Sequence, residues 1–228
     1  MKNLVAIFTA FLFLFGSNAC RKNRLDPYTG GVGPGYFPTN IGSSWVYQVD
    51  SIHYDKKFSP RPDTFQYWIK NTIESEFVDH EGKFSQSFTR YYSADSVNWT
   101  IDGTFSVQRS ASGVIRNQNN FKEIILKFPI QEFDFWDGNS LNSSQLKEFE
   151  YLTVHVPKTI KGIDYDSTCS VLHENILNRV QTYYKENTYA MDIGLVHRKD
   201  IQIDEKDIDT EEPKKGSHVI YQLISFEK

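Results

Sequence analysis

From Ser44 onward, apolar and polar residues tend to alternate with a period of two. Ser44-Trp45-Val46-Tyr47-Gln48-Val49 is dense in aromatic and β-branched residues and predicts a first strand. Phe65, Tyr67 and Ile69 alternate with Gln66, Trp68 and Lys70, the pattern of a half-buried antiparallel strand. Asp79-His80-Glu81-Gly82 predicts a turn, and Lys83 to Tyr92, carrying Phe84, Phe88 and Tyr91, predicts the partner strand. Asp95 to Ile101 and Phe105 to Gln108 continue the meander, with Gly103 and Gly113 as punctuation. Phe121 to Phe128 reads as a strand ended by Pro129, and Glu148 to Ile160 as a long strand broken or bulged at Pro157.

Two stretches are less plain. Leu172, Ile176, Val180 and Tyr184 recur four apart, the spacing of a helix face. Val180 to Tyr184 nevertheless has strand chemistry, and Glu174-Asn175 can turn the chain, so residues 169–186 are read as a hairpin. Tyr189-Ala190 with Ile193-Gly194-Leu195-Val196 resembles a segment of small envelope lipoproteins of the Bacteroidota type, which implies a short turn entering a strand through Gly194. Asp204 to Lys215 is so rich in charge that it reads as a solvated loop, and Val219 to Phe226 closes the chain with a last strand. The sum is about ten strands with little helix: an all-β, mainly antiparallel fold, either a sandwich or a lipocalin-like, half-open barrel.

The N-terminus has a different texture. Lys2 precedes Leu4 to Phe15, which is apolar except for Thr9. As a helix that run rises about 18 Å, short of a hydrocarbon core, and so reads as the core of a secretory signal. Asp26 to Gly35 is rich in Gly and Pro and reads as a linker. The expected organisation is a leader over 1–19, a tether over 20–35 and one β-rich domain over 36–228. The net charge of −4 argues against a nucleic-acid partner, which calls for a basic stripe. Aromatic residues at 15% argue against disorder.

Gly16-Ser17-Asn18-Ala19-Cys20 places small residues directly before a Cys. The segment resembles the lipobox of bacterial lipoproteins, with Ser17 where Leu is commonest, as in looser lipoboxes of the Bacteroidota type. The resemblance implies cleavage before Cys20, lipidation of Cys20, and a membrane partner held through the N-terminal lipid. Arg21-Lys22-Asn23-Arg24 lacks the acids that often follow the Cys of surface-exported members, which favours an outer-membrane lipoprotein facing the periplasm. Phe37-Pro38, Gly42, Trp45 and Tyr47, together with Trp136, Gly138 and Asn139, also resemble segments of small envelope lipoproteins of that group. Asp95-Ser96-Val97 and Asp166-Ser167-Thr168 resemble the O-glycosylation sequon of Bacteroidota periplasmic proteins, which makes Ser96 and Ser167 candidate acceptors.

Catalytic motifs are sparse. No Gly-x-Ser-x-Gly elbow appears, and Gly30-Gly31-Val32-Gly33 lacks the Lys-Ser/Thr of a phosphate cradle. The six histidines show no zinc-protease spacing, no Cys pair suits structural zinc, and the acidic run from Asp204 lacks the turn Gly of a calcium loop. No metal and no cofactor is expected. Cys169, flanked by Thr168 and Ser170, is expected to be an inert core thiol. Asp134 and Asp137 flank Trp136 in Phe133-Asp134-Phe135-Trp136-Asp137-Gly138-Asn139, an aromatic hairpin or loop that is the best place for a sugar-binding site. The function reading is a non-catalytic binding or scaffold module for an apolar ligand, a glycan or an envelope protein. The alternative is a glycan hydrolase using carboxylates near Trp136. The ligand version expects a cavity of about 300 Å³ or more lined by Phe, Tyr and Trp.

Overall fold

The computed structural model describes residues 33–228. The leader, Cys20 and most of the tether lie outside the described residues. The strands are β1 (Ser44–Asp55), β2 (Asp63–Val78), β3 (Phe84–Ser93), β4 (Thr100–Ser110), β5 (Gly113–Gln118), β6 (Phe121–Lys127), β7 (Phe135–Asp137), β8 (Glu148–Ile160), β9 (Ile163–Leu177), β10 (Thr182–Ala190), β11 (Gly194–Lys206) and β12 (Pro213–Glu227). They form one 12-stranded sheet in the order β6-β5-β4-β3-β2-β1-β12-β11-β10-β9-β8-β7. Neighbours are antiparallel throughout. The first and last long strands therefore meet in the middle of the sheet, and two meanders run outward from them.

The β6–β7 connection carries the chain from one edge of the sheet to the other. There the two edges meet, and the sheet becomes a nearly closed barrel. At the seam Ile124 N–H donates to Gly138 C=O at 2.9 Å, and the Trp136 indole donates to Ile124 C=O at 2.8 Å. The Tyr151 hydroxyl donates to Lys127 C=O at 2.7 Å and accepts from Lys127 N–H at 3.1 Å. Side chains thus satisfy backbone groups that an open edge would expose.

Strand alternation decides what faces the lumen. On β1, Trp45, Tyr47 and Val49 are buried while Val46 and Gln48 are only partly covered. Ile69, Phe88, Val107 and Val114 continue this inward face on one side, and Phe149, Cys169, Val171 and Tyr189 on the other. Stacked rings run along one inner wall from Phe226 to Trp45 (5.3 Å), Phe88 (6.0 Å) and Phe105 (4.8 Å).

The expected all-β class holds, in its barrel form. Several local readings change. Asp95 to Trp99 is a turn, because the Asp95 carboxylate accepts from Val97 and Asn98 N–H and holds the chain out of the ladder. Thr100 and Ile101 join Phe105 to Gln108 across Gly103 in the single strand β4, and β5 is an additional strand. Residues 169–186 do form a hairpin, but it turns at 178–181, where Asn178 Oδ1 accepts from Val180 and Gln181 N–H. The charged stretch from Asp204 to Lys215 is loop only over 207–212: β11 reaches Lys206, β12 starts at Pro213, and the Lys214–Asp207 pair spans the loop between them at 3.1 Å. Register shifts in β8 fall between Tyr151 and Lys158, around the expected irregularity at Pro157.

Gly33 to Gly35, assigned to the tether by composition, fold onto the barrel. Pro34–Tyr36 is a 3-10 turn, and Arg109 donates to Pro34 and Phe37 C=O at 3.1 and 3.0 Å. A Cβ at Gly33 would lie 1.7 Å from the Phe128 ring, so composition that suggested flexibility here serves close packing. Tyr36 is fully buried, and its hydroxyl bonds His155 Nδ1 and Ser167 Oγ, each at 2.8 Å.

Candidate functional site in the barrel lumen

Trp136, proposed above as a sugar platform, is 7% exposed. Its ring packs on Phe149 at 5.8 Å and Tyr151 at 4.8 Å, so no face is open for stacking. Asp134 pairs with Lys127 at 3.1 Å. Asp137 Oδ1 accepts from Asn139 and Lys147 N–H at 2.9 and 3.0 Å. These contacts tie the aromatic loop down at the seam, and both carboxylates serve that closure. Ser96 is exposed in its turn, whereas Ser167 is half-buried with its hydroxyl on Tyr36. Cys169 is fully buried, and burial pushes its thiol well above the ordinary range, away from reactivity. Among the described residues no group of three His, Cys, Asp or Glu side chains could hold a metal ion.

The lumen itself gathers a different set of residues. A cavity of about 70 Å³ lies between the aromatic wall of Phe37, Trp45, Phe88 and Phe105 and a polar wall. The polar wall carries Arg90, Arg116, Glu123, Lys185, Asn187 and Arg198, with His173 among them. Strand parity puts them there. Arg90 follows Phe88 by two on β3, Arg116 follows Val114 on β5, and Arg198 follows Val196 on β11. This set is hidden in the sequence because a charged residue in a strand ordinarily marks the solvent face. The available signal was its same-parity spacing from a core residue.

Two ion pairs order this wall. Arg116 meets Glu123 at 2.8 Å, and Lys185 meets Asp200 at 3.1 Å. Lys147 stands 4.0 Å from the other Glu123 oxygen. Arg90 and Arg198 have no carboxylate partner among the described residues. Arg90 Nε donates to Asn71 Oδ1 at 3.4 Å, with its guanidinium 5.4 Å over the Phe105 ring. Arg198 Nε donates to Asn187 Oδ1 at 2.9 Å, with its guanidinium 5.2 Å over Tyr221.

The Arg198 bond fixes the Asn187 amide, because Oδ1 must face the guanidinium. Asn187 Nδ2 then faces His173 Nε2 at 3.0 Å and Tyr189 Oη at 3.3 Å. His173 Nε2 is therefore an acceptor, and the ring is neutral with its proton on Nδ1. Burial, and then the charges of Lys185, Arg198, Lys147 and Arg116, hold His173 well below the usual His range. Arg116 is lowered too, by burial first and then by Arg198, with Arg90 adding to it. The field inside the lumen is positive.

A pH dependence of stability follows. The unfolded chain binds a proton at His173 below about pH 6.5, and the folded protein does not. The unfolded state then carries more protons, so stability is complete above that pH and falls as the pH drops below it. The slope for one such proton reaches about 1.4 kcal/mol per pH unit. His197 and His218 are lowered in the same direction by burial and add to it. Urea unfolding of the wild type and His173→Gln, at about pH 7 and about pH 5.5, measures the share. The variant is expected to lose less stability on acidification; equal losses would show that His173 is not the buried neutral group.

No family model matches the chain, and no curated protein matches it. Among solved structures it is similar to a Bacteroides fragilis protein assigned as exported, with a YmcC-like fold: 11% identity over 84% of this chain and 98% of that one, TM-score 0.46. A Parabacteroides distasonis protein assigned as a lipoprotein shares 12% identity over 84% of this chain and 98% of that one, TM-score 0.45. A domain from Vibrio parahaemolyticus assigned to an outer membrane lipoprotein-sorting protein shares 11% identity over 82% of this chain and 85% of that one, TM-score 0.20.

Proposed function

We propose that this chain is a non-catalytic binding module whose ligand seat is the polar wall of the barrel lumen, held at the outer membrane through a lipid on Cys20 and facing the periplasm. The apolar run from Leu4 and the Ala19-Cys20 junction support the anchor. The observation that carries the binding reading is the charged wall itself. Charged side chains inside a barrel cost stability relative to apolar residues of similar volume, even when paired. A wall of Arg90, Arg116, Lys185 and Arg198 is therefore a poor way to fill a core and a good way to hold a ligand.

The cavity of about 70 Å³ is several times smaller than the seat of a drug-sized molecule. It suits a small polar group better than an acyl chain. The hydrolase alternative has less support, since Asp134 and Asp137 are committed to Lys127 and to backbone amides.

Native mass spectrometry of the full-length protein, taken from its own envelope fraction in detergent, tests both halves of the proposal. A small retained mass, lost on denaturation, is the expected result for the seat. A covalent acyl mass that disappears in Cys20→Ser is the expected result for the anchor. A bare, unlipidated mass would overturn the reading.

A further inference from the structure

We infer that the lumen takes its ligand by an anionic group, a carboxylate or a phosphate, held between Arg90 and Arg198. The inference rests on the lumen being a ligand seat and adds the chemical class of the ligand. Four cations, Arg90, Arg116, Lys185 and Arg198, line this wall with one carboxylate, Glu123, and a second carboxylate, Asp200, reaches Lys185 from outside the lining. Both carboxylates are spoken for, Glu123 by Arg116 and Asp200 by Lys185. The excess positive charge belongs to Arg90 and Arg198, each tied through Nε to one amide oxygen. Those bonds orient the guanidinium planes and leave the remaining N–H donors free of carboxylates among the described residues.

A planar fork of donors matches a carboxylate or phosphate by paired hydrogen bonds. The two guanidiniums come from β3 and β11 and line the same cavity, as do Tyr47 and Arg116. Like charges gathered around one cavity repel, and an anion among them relieves that repulsion as it binds. The volume of about 70 Å³ admits one such group in place of a few waters. The neutral His173 fits this arrangement, since its acceptor nitrogen locks Asn187 and Asn187 locks Arg198.

Line broadening of two small probes tests the inference. Inorganic phosphate is followed by phosphorus-31 NMR and carboxyl-labelled acetate by carbon-13 NMR, each titrated with full-length protein in detergent at low ionic strength. Labelled acetamide is the neutral control. One or both anions are expected to broaden while acetamide does not, and the pair distinguishes a phosphate seat from a carboxylate seat. Arg90→Gln/Arg198→Gln is expected to raise Kd by about tenfold or more. Glu123→Gln frees the Arg116 guanidinium and is expected to tighten binding, a gain that misfolding cannot produce. Equal broadening by acetamide, or anion binding that neither variant moves, would overturn the inference. A neutral mass retained in the native spectrum together with flat anion titrations would overturn the anion class and leave the binding module standing. No retained mass and no bound probe would remove both.

Discussion

Gly216→Ala is expected to destabilise the protein by about 3–5 kcal/mol. Gly216 sits in β12 opposite Ile203 with φ +137, a backbone conformation that L side chains rarely adopt. A Cβ there would lie 2.1 Å from Gln202 O and 2.6 Å from Ile203 Cα. Both are backbone atoms of the paired strand, so no rotamer change can make room. Ile203 is buried, and the register slips between Ile203 and Glu205, so the close approach is part of a β-bulge that bends β11. Gly103→Ala is the control: nothing lies within 4 Å of its Cβ position, and the change should stay within about 1 kcal/mol. Urea unfolding followed by circular dichroism measures both, and a Gly216→Ala loss as small as that of the control would show that the strands can part cheaply.

Tyr151→Phe is expected to cost about 2–4 kcal/mol and to loosen the seam before the rest of the barrel. The ring would keep its buried place, so packing is conserved. What disappears is one hydroxyl that satisfies both the N–H and the C=O of Lys127, on the side of β6 that faces the seam. β5 already occupies the other side of β6. Hydrogen exchange reads this locally. The amides of Lys127 and Ile124 should lose protection, while the Tyr47 and Val49 amides at the β1 centre should keep theirs. Uniform loss across the sheet would mean that the seam is not a separate element of stability.

Legibility differed by feature, for physical reasons. The inward set of β1 was readable because Trp45, Tyr47 and Val49 alternate with less buried neighbours over an uninterrupted strand. Cys169 was readable as an inert core thiol because it sits in a β segment with no His or other base within three residues. The Asp95 turn was hidden because Val97 and Trp99 carry strand-like side chains, while one carboxylate settles the backbone. β5 was hidden because Gly113-Val114-Ile115-Arg116-Asn117-Gln118 is short and half polar, and its two apolar residues face opposite sides. The packing of the loop around Trp136 is visible only in three dimensions. Aromatic and acidic residues together look like a sugar site, yet here the same residues seal an edge.

The sequence by itself determined the class of the fold. Period-two alternation, turn residues at strand ends and scarce helical periodicity leave an antiparallel β protein as the consistent solution. It also carries the apolar run Leu4 to Phe15 ahead of Ala19-Cys20, on which the proposed anchor rests. The tertiary structure decided that the sheet is single and curls until β6 meets β7, because closure depends on contacts between residues far apart in the chain, such as Tyr151 with Lys127. It also decided which charged residues lie inside. Alternation assigns a residue to one of two faces, but only the closed barrel makes one of those faces a lumen, and only there do Arg90, Arg116 and Arg198 from three separate strands share one cavity.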